Sequence, residues 1–116
     1  MSVLNNVTKK INEYLNTLTV KPKLIYGNTE VSEGLYLVNV DIDNETNVSY
    51  DSTVALSLKW KETKSNRGLF ESEDWITNLK NYLEKNANVY DCKMRYIGKD
   101  KDLYIYNLMF RIVTTK

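Results

Sequence analysis

A chain of 116 residues, with 42% apolar side chains and 27% charged ones, builds one domain and leaves no room for a second ordinary core. Sixteen basic groups against fifteen acidic ones give a net charge of +1, and only three of the cations are arginine, so the surface as a whole is not drawn onto nucleic acid or anionic lipid. Histidine is absent, which removes the commonest general base and the commonest zinc ligand and leaves carboxylates, lysine, tyrosine and the single Cys92 for any catalysis.

The first residues carry no basic region followed by an apolar run, and no stretch approaches the roughly 18 uninterrupted apolar residues of a membrane span, so neither export by a leader nor insertion is expected. One cysteine makes no internal disulfide, which fits a reducing cytoplasm. Fourteen asparagines and thirteen lysines against three arginines point to an AT-rich coding sequence, as in a low-GC bacterium or something that replicates in one.

Between Ser2 and Leu18, Leu4, Val7, Ile11, Tyr14, Leu15 and Leu18 recur at spacings of three and four, which predicts an amphipathic helix capped by Ser2. Pro22 ends the helical region, and a short extended piece from Lys23 to Tyr26 closes at Gly27 and Asn28. From Gly34 to Asp43 the alternation predicts a strand with Tyr36, Val38, Val40 and Ile42 on the core face and Leu35 and Leu37 on the other. A polar turn over 43–47 leads to a second long strand, Val48 to Lys61, with Val54, Leu56, Leu58 and Trp60 inward.

Residues 62–71 lack periodicity and read as a loop carrying Arg67, Leu69 and Phe70. Ser72 is a candidate cap for a second helix with Trp75, Ile76, Leu79, Tyr82 and Leu83 on its apolar side. Val89 to Ile97 alternates again, with Tyr90, Cys92, Met94 and Tyr96 together. After a turn over 98–102, the final strand from Leu103 to Thr114 places Tyr104, Tyr106, Leu108, Phe110 and Ile112 on one face. The order α-β-β-β-α-β-β predicts an α+β domain: a mostly antiparallel, curled sheet with two helices on one face. Leu35, Leu37, Leu103, Ile105 and Met109 then enrich the second face in apolar side chains, and a partner subunit is the economical cover.

Four features invite a chemical reading. Glu62-Thr63-Lys64, with Asp41, Asp43 and Asp51 near in sequence, has the residue types of a metal-assisted nuclease, which needs clustered carboxylates for the ion and a lysine for the attacking water. Eight Glu and thirteen Lys produce about one such Glu-x-Lys by chance, and the preceding acidic element is missing. Asp41, Asp43 and Glu45 lack the glycine and closing glutamate of a calcium loop, which favours a solvated hairpin tip. Cys92 has no histidine to activate it and reads as a packed thiol. Nine tyrosines with Trp60 and Trp75 contain the ingredients of a base-stacking platform, but most fall on apolar faces, as core aromatics do. Leu69 and Phe70 beside Arg67 are different: they read either as a plug over the helix entrance or as a contact with another subunit.

Element order, size and the lack of catalytic residues resemble the tail-terminator (tail-completion) proteins of long-tailed bacteriophages and phage-derived contractile bacteriocins. The resemblance runs from Val3-Leu4-Asn5-Asn6-Val7-Thr8 through Ser72-Glu73-Asp74-Trp75-Ile76 to Tyr104-Ile105-Tyr106-Asn107-Leu108-Met109-Phe110. It is one of layout, and no functional residue is carried over from it. It implies a non-enzymatic ring subunit, a hexamer, that is made in the host cytoplasm and caps a tail tube in a phage or phage-like particle. Its partners would be copies of itself, the tube protein and a sheath or head connector, with no cofactor, metal, membrane or specific nucleic-acid sequence. Arg67, Leu69, Phe70, Leu35, Leu37, Leu103 and Ile105 are the candidate interface residues. A head-tail joining or baseplate protein, and a small protein-binding or regulatory α+β module, are the alternatives.

Overall fold

The computed structural model describes residues 2–19, 22–27, 32–61 and 68–116. Two helices, α1 (Val3–Leu15) and α2 (Gly68–Asn86), lie on one face of a five-stranded mixed sheet built from β1 (Leu24–Tyr26), β2 (Gly34–Glu45), β3 (Ser49–Lys61), β4 (Val89–Asp100) and β5 (Leu103–Thr115). The strand order is β1-β2-β3-β5-β4, and the sheet stays open. The α+β class and the element order are those expected from the sequence. One pairing departs from the antiparallel rule: β1 runs parallel to β2, with Leu24 opposite Leu35 and Tyr26 opposite Leu37.

The first helix forms because Val3, Val7, Ile11 and Tyr14 fall on one stripe at helical spacing, and all are buried together with Leu15. Ser2 caps it, its hydroxyl accepting from the Asn5 amide at 3.1 Å. The stripe begins one residue earlier than the alternation implied: Val3 faces the core, and Leu4 points out. The second helix also starts earlier, at Gly68 rather than after Ser72. Leu69 and Phe70 therefore belong to its first turn and not to a loop. Ser72 is buried within the helix, its hydroxyl donating to the Leu69 carbonyl at 2.7 Å, so the small side chain lets α2 approach the sheet instead of capping it.

Trp75, Ile76, Leu79 and Leu83 of α2 meet Val7, Ile11 and Leu15 of α1 over Leu56, Leu58, Val54, Leu108 and Phe110 of the two central strands. Tyr14 closes one side against Trp75, with ring centroids 5.6 Å apart in an edge-on contact, and Trp75 lies 6.1 Å from Trp60. The tryptophans are thus part of the helix–sheet packing.

Strands β3 and β5 pair without a break from Ser49 opposite Thr115 to Lys61 opposite Leu103. The outer strands are interrupted: the register shifts at Val38 and Asp43 in β2, and over 91–92 and at Ile97 in β4. Each extra residue bends its strand and flips the faces of the residues beyond it. This overturns the faces expected for β2. Leu35 and Leu37, 0% and 4% exposed, lie under the helices in the core, and Val40 joins them only because Val38 is extruded between. Tyr36 is on the opposite face, and Ile42 is 54% exposed where the strand outruns the helices. In β4, Tyr90 is likewise separated from Met94 and Tyr96 by the shift over 91–92.

Gly34 is a point of close approach, because a Cβ there would sit 2.9 Å from Ile25 Cδ1 and 3.0 Å from the Lys23 carbonyl oxygen. The backbone contact cannot rotate away. Gly34→Ala should therefore loosen β1 from β2 and cost about 1–3 kcal/mol. Hydrogen exchange checks this: the Leu35 amide, which donates to Lys23, and the Gly27 amide, which donates to Leu37, should lose protection before those of β3 and β5.

Candidate interaction surface

The face of the sheet away from the helices is a functional candidate, because alternation along unbroken strands puts every second side chain there. Ala55 and Ser57 of β3 and Asn107 and Met109 of β5 occupy neighbouring positions, opposite one another in the order Ala55–Met109 and Ser57–Asn107. The small Ala55 and Ser57 leave a shallow groove of about 240 Å³. Val38, extruded by its bulge, forms one apolar wall, and Met109 and Ile97 form the other; Met109 is 47% exposed. Lys93 and Arg95 of β4 stand on the rim.

One end of this face is filled by the chain itself. Tyr36 is fully buried, its hydroxyl donating to the Ser32 carbonyl at 2.7 Å, and the Lys59 ammonium lies 4.4 Å from the ring centroid. Leu103 and Ile105 do lie on this side, opposite Lys61 and Lys59. Leu103 is only 5% exposed and Ile105 is half-buried, so Leu103 offers little to a partner. Leu35 and Leu37 offer none, being core residues. Leu69 packs on the core edge, whereas Phe70 is 61% exposed on the first turn of α2. Arg67, Glu62 and Lys64 lie outside the described residues, and the nuclease-like fragment with them.

The other end carries the carboxylates. Arg111 reaches Asp51 at 3.3 Å and Asp43 at 3.8 Å, Tyr90 donates its hydroxyl to Asp51 at 2.6 Å, and Thr53 donates to Asp43. The guanidinium also stacks 5.5 Å from the Tyr90 ring centroid. These acids are therefore knitted into a cross-strand network joining β2, β3, β5 and β4, and no group of three metal-ligating side chains occurs among the described residues.

The hydrogen bond to Asp51 is the main cause that raises the Tyr90 phenol above its ordinary value of 10.0, with burial adding to it and Arg111 opposing. A proton held more tightly in the folded state stabilises it below the ordinary phenol range, and that contribution is lost as pH rises through the raised value. Melting temperature should thus fall more steeply with alkaline pH in the wild type than in Tyr90→Phe, and the two curves should run parallel near neutrality.

Cys92 is half-buried against the core, on the inner side of β4. Burial pushes its thiol up, with Glu84 adding and Lys80 opposing, the reverse of what a nucleophile needs. Alkylation by iodoacetamide at neutral pH should be slower than for a free cysteine, and it should accelerate only above the ordinary thiol range.

Val38 and Ile97, the walls of the groove, were hidden in the sequence because both sit at bulges that strict alternation does not foresee. Comparison with known proteins finds no matching family model and no matching curated relative. No helix among the described residues is long and apolar enough to cross a membrane.

Proposed function

We propose that the chain is a structural ring subunit that caps the end of a phage or phage-like tail tube, ends its polymerisation and joins it to a head or collar where one exists. One observation carries the reading: both helices cover the same side of the sheet, so the other side keeps an apolar groove open, with Val38, Ile97 and Met109 exposed around small residues. Neighbouring copies, as a hexamer, and the tube protein with its sheath or head connector are the partners this reading assigns. Phe70, exposed at the start of α2, is the second contact it favours. The reading assigns no cofactor and no catalytic step.

The test mixes purified protein with polymerised tubes of the tube protein from the same genome and images the ends. A ring at the tube end and an arrest of growth are expected, both weakened in Met109→Glu and in Phe70→Ala. Bare ends and unchanged tube length with the wild type would reject the ring in favour of the protein-binding or regulatory module.

A further inference from the structure

The two long edges of the sheet differ in charge and match in pattern. Among the described residues β1 pairs with Leu35 to Leu37, so from Asn39 to Glu45 strand β2 is paired there on one side alone. Along that bare edge Asp41 and Asp43 share the open face of the sheet with Asn39, while Val40 and Ile42 face the helix side. A groove of about 430 Å³ runs beside it, between the start of α1, at Val3 and Leu4, and Tyr26 at the end of β1. At the opposite edge, β5 is the single neighbour of β4 among the described residues. Between its two bulges, Lys93 and Arg95 share the open face, exposed and without an ion pair among the described residues, while Met94 and Tyr96 face the helix side.

We infer that the β2 edge of one copy takes up the β4 edge of the next, continuing the sheet from subunit to subunit. This names the joint of the ring proposed above and rests on that reading. The direction is right: β2 is antiparallel to β3, β3 to β5 and β5 to β4, so copies of the same sense meet β4 against β2 in an antiparallel ladder like those within the subunit. Acid on β2 then stands beside base on β4 on one face, and apolar side chains continue the core on the other.

The same charges oppose the symmetric alternatives. β2 against β2 sets Asp41 and Asp43 beside their own copies, and β4 against β4 sets Lys93 and Arg95 beside theirs. Repelling both two-fold pairings leaves the head-to-tail one, which closes into a ring when its rotation closes. The bulges and cations of β4 are devices that keep a lone edge from pairing indiscriminately, and the acidic β2 edge is the complement they admit. The bare stretch of β2 is offset along the strands from the regular stretch of β4, so the joint is staggered, as a sheet that closes on itself requires.

Two exposed double variants test this without touching the Arg111 network: Asn39→Lys with Asp41→Lys, which makes both edges basic, and Lys93→Glu with Arg95→Glu, which makes both acidic. Each should keep the wild-type circular dichroism and melting temperature yet self-associate roughly tenfold more weakly by light scattering or sedimentation, with the wild-type association falling in high salt. Mixed in equal amounts, the two should recover assembly, because acidic and basic edges then alternate around a ring of even order. If both variants form rings on tube ends as the wild type does, or the mixture recovers nothing, the joint is wrong while the ring stands. If the wild type leaves tube ends bare but still shows charge-dependent self-association that the mixture restores, the joint stands without the ring. A wild type that stays monomeric at every concentration and beside tubes removes both.

Discussion

Replacing Leu79 by Ala should lower stability by about 2–5 kcal/mol, a large part of what a domain of this size possesses. Leu79 is fully buried on α2 and belongs to the cluster in which both helices meet the central strands. Truncation removes its methyl groups from contact with that cluster and leaves a cavity that two helices and a sheet cannot all move to fill. Urea unfolding should show the midpoint shifted with the slope unchanged, since the surface exposed on unfolding stays the same. A wild-type midpoint would place α2 in another rotation about its axis.

Tyr36→Ala should be as costly, about 3–5 kcal/mol by analogy with buried aromatic truncations, although Tyr36 faces away from the helices. Its ring is wholly buried under Lys59, and its hydroxyl ties Ser32 back to the strand. Tyr36→Phe isolates the hydroxyl and should cost about 0.5–1.5 kcal/mol. Met109→Ala on the same face should change stability little, because its side chain is half exposed in the monomer. Equal losses at Tyr36 and Met109 would mean that the whole second face is covered within one chain, and the groove would cease to be a candidate surface.

The central strands were legible because nothing interrupts them: Val54, Leu56 and Leu58 of β3, and Leu108, Phe110 and Ile112 of β5, lie inward as their alternation implies. The outer strands were half legible. Leu35-Tyr36-Leu37-Val38 is apolar at every position, so parity alone cannot choose a face, and the choice is made by the helices packed above Leu35 and Leu37. Bulges at Val38 and Asp43 then change the phase at residues that are neither glycine nor proline, the usual marks of such breaks, whereas the one at Ile97 is followed by Gly98 at φ 145°, a glycine that reads from the sequence as the start of the turn. The start of α2 was obscured because Ser72 resembles a cap, whereas its burial is a packing requirement. Of the candidate interface, Phe70 and the half-buried Ile105 remain accessible, Leu103, Leu35 and Leu37 are absorbed by the monomer, and the charged strand edges became visible only once the strand order was known.

The strand order also governs how the chain reaches this state during synthesis. β5 comes after every other strand in the sequence, yet it sits between β3 and β4, and its ladder joins residues 49–61 to residues 103–115. Until β5 leaves the ribosome, β3 has only β2 beside it, β4 has no neighbour, and the underside of α2 has no Leu108 or Phe110 to rest on. Contacts so distant in sequence make folding slow, on the millisecond-to-second scale of sheet-rich domains, and late. β2 and β3 are neighbours in sequence and need no later strand to pair, whereas the basic edge of β4 joins the sheet only through β5. If the proposed joint is the one used, a copy that lacks β5 cannot present both of its halves, because β4 joins the sheet through β5.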